Sequence, residues 1–195
     1  MSALAVVVML AAAVPPRPDD GAIRVPLPVE YVALRVEPGF DVKALPVADQ
    51  PAAASLADLV SGGGAVRDPD LAAAELLFSR HRRAAAAWRL LRAVHVRAAE
   101  QARAGYRLPA ALVSLRRLAT VAPEPEVVSN IVVTLLELGR WPEAEDEAQS
   151  LVAQRPDDVG GHLSLAFARL RQDRAACAGG SAPSKTRRAS ARCWP

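Results

Sequence analysis

The residues able to do acid–base or metal chemistry are few and scattered. The three histidines, His81, His95 and His162, lie far apart in the chain and share no metal-ligand spacing. Glu143, Glu145, Asp146 and Glu147 form an acidic cluster. They fall in the first turns of a predicted helix, where the helix dipole favours negative charge, and nothing beside them would raise one carboxyl enough to make it a proton donor. Gly62-Gly63-Gly64 lacks the Lys-Ser/Thr that completes a phosphate-binding loop and the spacing of a dinucleotide fingerprint, so it reads as a flexible linker. Cys177 and Cys193 make no CxxC or zinc pattern. They could pair in an oxidising compartment; otherwise they are incidental residues of a loose tail. There is no HExxH, no GxSxG and no kinase signature. The sequence therefore predicts no catalytic set, no metal site and no cofactor, and points away from an enzyme.

What remains is a chain built to pack helices. Apolar residues make up 51% of it while aromatics make up only 4%, and alanine is very frequent. Alanine favours helix and covers a pleated sheet poorly. Its 195 residues suffice for one ordinary domain with irregular ends. Of the net charge of +3, the stretch from Arg174 onward carries five basic residues and no acidic one, which leaves the rest at −2. The basic character belongs to a tail, 174–195, expected to be disordered, and does not make the folded body a nucleic-acid binder.

The N-terminal end is different in texture. Ala3 to Val14 is an almost unbroken apolar run followed by Pro15-Pro16. It is shorter than the roughly 20 residues a membrane span needs. It has the length of a signal core, with Ala11 and Ala13 placed for cleavage, although no Lys or Arg precedes it. Residues 1–14 are thus expected to be a signal peptide, with export to a periplasmic or extracellular space; without cleavage the chain would be cytoplasmic. Residues 15–66 form a Pro- and Gly-rich region. Within it Ile23, Val25, Leu27 and Val29, then Val32, Leu34 and Val36, alternate with the period of a strand, and Pro38-Gly39 is a turn signal. A small β-hairpin over 29–43 is the expectation, with a short helix from Ala53 to Val60.

From residue 67 to 173 the period is helical. Asp68 or Asp70 can cap a stretch beginning near Leu71 that holds no Pro or Gly until Gly105. It is either one long helix or two, broken at Arg80-His81-Arg82-Arg83. Pro109 opens the next helix and Pro123 stops it; a following one ends at Gly139; Pro142 opens another, stopped at Pro156; Asp157 or Asp158 caps a last.

The spacing of these landmarks resembles the tetratricopeptide family. The stretch 125–158 is similar to one full repeat, with Ile131, Val132 and Leu135 at the apolar places of the first helix, Gly139-Arg140-Trp141 at the turn, Ala144, Ala148 and Leu151 on the second helix, and Pro156 closing it. Ala111, Leu115, Leu118 and Pro123 repeat the second-helix pattern, and Ala111–Ala144 and Pro123–Pro156 are both 33 residues apart. Val128 stands where the family usually has an aromatic. The resemblance covers about 86–172. It implies an all-α fold: a short tetratricopeptide-like array, a right-handed α-solenoid behind the less ordered N-terminal region.

Such an array implies a protein-interaction scaffold whose first helices line a concave groove for another protein or peptide. Carried over by position, the groove includes Glu126, Ser129, Asn130, Val133, Leu136, Glu137, Leu163, Phe167 and Arg171. Asn130, the only asparagine in the chain, falls near the place where some of these proteins hold a peptide backbone. The last helix, 159–172, is read with Leu165, Ala166 and Leu170 on its packing face and Leu163 with Phe167 left over. That leftover edge predicts contact with a partner or a second copy of the chain. Two other readings stand beside the scaffold: a nucleic-acid-associated protein using the basic residues of 80–83 and the tail, and an accessory fragment of a longer multidomain protein.

Overall fold

The computed structural model describes residues 30–37 and 39–178, with side chains through Arg174. Residues 1–29, 38 and 179–195 lie outside the described residues, and with them the expected signal run 1–14 and the alternating stretch from Ile23 to Val29.

Among the described residues the fold is all-helical. A 3-10 turn, Val42–Ala44, precedes α1 (Gln50–Ser61), α2 (Asp68–Arg80), α3 (Ala85–Ala104), α4 (Leu108–Val121), α5 (Pro125–Glu137), α6 (Trp141–Gln154) and α7 (Val159–Ala178). Prolines 51, 69, 109, 125 and 142 each sit in the first turn of a helix, where the missing N–H has no intrahelical partner to lose. The Asp70 carboxylate accepts the Arg67 N–H at 2.9 Å and caps α2, and Asp158 accepts the Gly160 N–H at 3.0 Å at the start of α7. Each helix packs on the next; α1 also reaches α3, and α5 reaches α7. No described helix is long and apolar enough to cross a membrane.

Backbone geometry repeats along the second half. Tyr106 and Gly139, 33 residues apart, both have positive φ (53° and 73°). At both turns the following arginine N–H reaches back to close the helix end, Arg107 to Ala102 O at 2.7 Å and Arg140 to Leu135 O at 3.0 Å. Ala111 and Ala144 are both fully buried, as are Leu115 and Ala148, so the small and apolar positions repeat with the turns.

Two apolar clusters hold the array. One gathers Leu34 with residues of α3 through α7, among them Leu115, Ile131, Leu135 and Phe167. The other gathers Leu45, Leu56, Leu77, Leu90 and Leu91 from the first three helices and the segment before them. Helix α3 supplies both, and Val36 packs against both.

Four expectations are corrected. No strand occurs in 30–37 or 39–43, so the described part of the predicted hairpin is absent. Its backbone finds partners on helical side chains instead, as described below. Helical packing starts at Gln50 rather than near 67, because Ala53, Leu56 and Val60 of α1 belong to the second cluster. Gly62-Gly63-Gly64 is not a loose linker. Gly63 takes φ +68° at the end of α1, the Gly64 N–H closes on Leu59 O at 2.8 Å, and Arg97 donates to the Gly63 carbonyl at 2.6 Å. Helix α7 runs past 173 to Ala178, and it packs through a partly different face. Leu165 packs against the first cluster as expected, but Ser164, Phe167 and Ala168 are buried while Ala166 and Leu170 are exposed.

Candidate functional site

The groove residues on α5 are mostly not open to solvent. Asn130 is fully buried, and Val133 and Leu136 are nearly so. What meets Asn130 is the chain itself. The Val32 N–H donates to Asn130 Oδ1 at 2.7 Å, and Asn130 Nδ2 donates to the Val32 carbonyl at 2.7 Å. A primary amide carries one donor side and one acceptor side, so it reads both main-chain groups of a single residue as a sheet neighbour would. This pairing is independent of the Val32 side chain, which is exposed.

The contacts on either side of Val32 run in order. Tyr31 lies under the Arg103 guanidinium, 4.4 Å from carbon Cζ to the ring centroid. Leu34 is buried in the first cluster. The Arg35 carbonyl accepts from Arg92 Nη1 at 2.6 Å, and Glu37 faces Arg89 at 3.6 Å. The chain therefore advances from residue 31 to 37 while its partners on α3 retreat from 103 to 89. Fourteen helical steps cover about 21 Å, and six steps of extended chain cover about 20 Å. The match requires residues 31–37 to be extended and antiparallel to α3. Burying Leu34 contributes about 1.5–3 kcal/mol to holding it there.

Two forked ion pairs tie α3 to α5 at the ends of this channel. Arg92 meets Glu124 at 2.7 and 2.8 Å, and Arg103 meets Glu137 at 2.5 and 2.9 Å. Two-point arginine–carboxylate pairs fix geometry more firmly than a lysine could. At the Tyr31 end a pocket of about 600 Å3 opens between Tyr31, Glu100, Arg103, Tyr106, Leu108 and Glu137. Burial, reinforced by the nearby Glu100 carboxylate, pushes the Tyr31 phenol up to about 12. Burial also raises the Glu100 carboxyl above its ordinary value.

The other expected groove residues divide. Glu126 pairs with Arg155 at 3.4 Å, and Ser129 is half-buried on α5. Arg171 lies over the rings of Trp141 and Phe167, 5.4 and 5.2 Å away. Phe167 is only 7% exposed and belongs to the first cluster, so it is a core residue and not half of an open edge; Leu163 alone of that pair faces solvent. A Cβ at Gly161 would lie 3.3 Å from Val152, so Gly161 lets the start of α7 approach α6 closely.

The α3 wall was missed by position. Shifting Val133, Leu136 and Glu137 back by one 33-residue period lands on Glu100, Arg103 and Ala104, all of which line the Tyr31 pocket. The repeat interval was the available signal. The chain's own 31–37 segment had none, because its partners lie far away in sequence.

The residues that could have done chemistry serve packing. His81 donates to Asp49 at 2.7 Å, joining the end of α2 to the start of α1, and this bond is the main cause that holds Asp49 below the usual carboxylate range. His95 donates to Glu75 at 3.1 Å, and Glu75 also takes both arms of Arg117 at 2.5 and 2.6 Å. Burial pushes the His95 imidazole below its ordinary value. His162 donates to the Pro156 carbonyl at 2.7 Å. Glu143 is held low by Arg116 and then Arg140, and buried Glu145 meets Arg169 and Gln172. Among the described residues no group of three or more His, Cys, Asp or Glu is gathered to hold a metal.

No protein-family model, no curated protein and no solved structure matches this chain.

Proposed function

We propose that this chain is a protein-interaction scaffold built on a tetratricopeptide-like helical array, and that it grips an extended peptide segment in the channel between α3 and α5. The observation that carries the reading is the Asn130 amide, buried and bonded twice to the main chain of one residue of an extended segment. A side chain used this way selects an extended backbone and leaves the sequence to flanking contacts. The repeat of turns and buried small residues at 33 positions supports the array. A nucleic-acid role is weaker: of the basic run 80–83, Arg80 and His81 are already engaged by Asp49. Export of the chain is a further part of this proposal and rests on the Met1–Ala13 run alone; an N-terminal mass beginning near Val14 would support it, and an intact Met1 would end it.

The binding reading is tested by screening a displayed peptide library against the full-length chain carrying Leu34→Asp, which weakens the resident segment. Enriched peptides should lose about tenfold or more in affinity, roughly the 1.4 kcal/mol of a good hydrogen bond, when Asn130→Ala is added. Enriched peptides that bind equally well without Asn130 would refute it, as would a screen that enriches none.

A further inference from the structure

The segment in the channel is covalently part of the chain, yet it is held as a ligand would be. Of residues 30–37, only Leu34 is fully buried; Glu30, Val32, Ala33, Arg35 and Glu37 are exposed. Its main chain is bonded by Asn130 and Arg92 side chains and, among the described residues, pairs with no strand. Its side chains make four contacts: the Tyr31 ring under Arg103, Leu34 in the first cluster, Val36 against both clusters, and the Glu37 carboxylate facing Arg89.

We propose that Tyr31–Glu37 is an internal occupant of the binding channel, and that the external partner is an extended peptide of the same chemistry: an aromatic residue, a leucine-like residue three places on, a second apolar residue two places after that, and an acidic residue next. This rests on the peptide-gripping reading above and adds the partner's pattern and its competitor. The charges agree with the pattern. Arg89 and the Arg92–Glu124 pair stand at the end of the channel that receives Glu37, while the opposite end carries the Arg103–Glu137 pair with Glu100 beside it and holds a neutral phenol. The antiparallel direction relative to α3 follows from the order of contacts, and a partner that uses Asn130, Arg92 and Arg103 together must run the same way. A tethered segment competes at an effective concentration of order millimolar. A free partner therefore binds the unaltered chain far more weakly than the empty channel would allow. Displacement releases Tyr31–Glu37 to solvent, so partner binding and release of the N-terminal segment are one event.

The test uses a fluorescent peptide of residues 30–37 and fluorescence anisotropy against full-length proteins. The Tyr31→Ala/Leu34→Asp double variant should bind it at least about tenfold more tightly than the unaltered chain. Adding Asn130→Ala to the double variant should abolish the gain. In the unaltered chain, excess peptide should accelerate amide exchange at Val32. A double variant that keeps its helical circular dichroism and gains no affinity overturns the proposal. So does one that loses its helical signal, because the segment is then core and not an occupant. If unrelated extended peptides bind the double variant but the 30–37 peptide does not, the channel reading stands and the self-occupancy falls. If the folded double variant binds no peptide at all, both fall.

Discussion

A single amide decides how the front of this chain lies. Asn130 is fully buried and satisfied on both sides by Val32. Asn130→Ala removes two hydrogen bonds, and we expect a loss of about 1–3 kcal/mol in urea unfolding. Asn130→Asp should cost more than the alanine, since a carboxylate only accepts and would face the Val32 carbonyl from a buried site. His95 makes a second residue-level prediction. Its folded pKa lies below its ordinary value, chiefly through burial, so below about pH 6.5 the unfolded chain takes a proton that the folded chain refuses. Stability should fall as pH drops through that range. Glu75 is held low, first by Arg117, so its contribution is present above the ordinary carboxylate pKa and is lost at lower pH, in the same direction. Melting curves from pH 7.5 to 5.5 check the first step, and His95→Gln should flatten it; an equally steep variant would show that His95 is not its source. Asn130 was marked by its type and place in the repeat. Val32 could not be, since the bond joins residues 98 apart and leaves no local trace.

The helices themselves were legible because their signals are local. Prolines open five of them and the small residues recur at 33. The face of α7 was misread in part: Leu165 packs as expected, but small Gly161, Ser164 and Ala168 are also buried, which a count of large apolar residues ranks wrongly. The turn residues also swap roles. Gly105 has negative φ, and exposed Tyr106 carries the left-handed conformation that Gly139 carries one repeat later. Gly139→Ala should therefore destabilise by about 1–2 kcal/mol. Tyr106→Gly should be neutral or stabilise by up to about 1 kcal/mol, since strain is relieved against the glycine's extra chain entropy. Thermal unfolding should show a loss for Gly139→Ala only, and a loss in both variants would mean the turns are not equivalent. At the packed face, Ala144→Leu should overfill a position with no exposure at a cost of about 1–3 kcal/mol; an unchanged midpoint would contradict that packing.

Across the whole molecule α3 belongs to both apolar clusters, so the front and back of the array are coupled through one helix. Leu91→Ala, in the second cluster, should cost about 2–5 kcal/mol and lower amide protection in α5–α7 as well as in α1–α3. Protection lost only in α1–α3 would mean that the halves unfold separately. The Val32–Asn130 pairing behaves differently from every helix contact. Helices meet neighbours one or two elements away, whereas this pairing closes a loop of 98 residues. Short closures form early and long ones late. Synthesis adds a further delay: at about 5–20 residues per second, α5 follows Val32 by roughly 5–20 s. For that interval Tyr31 and Leu34 have emerged and their receptor has not been made. The nascent chain thus presents an unburied Tyr-x-x-Leu segment to chaperones before the residues that cover it have been made.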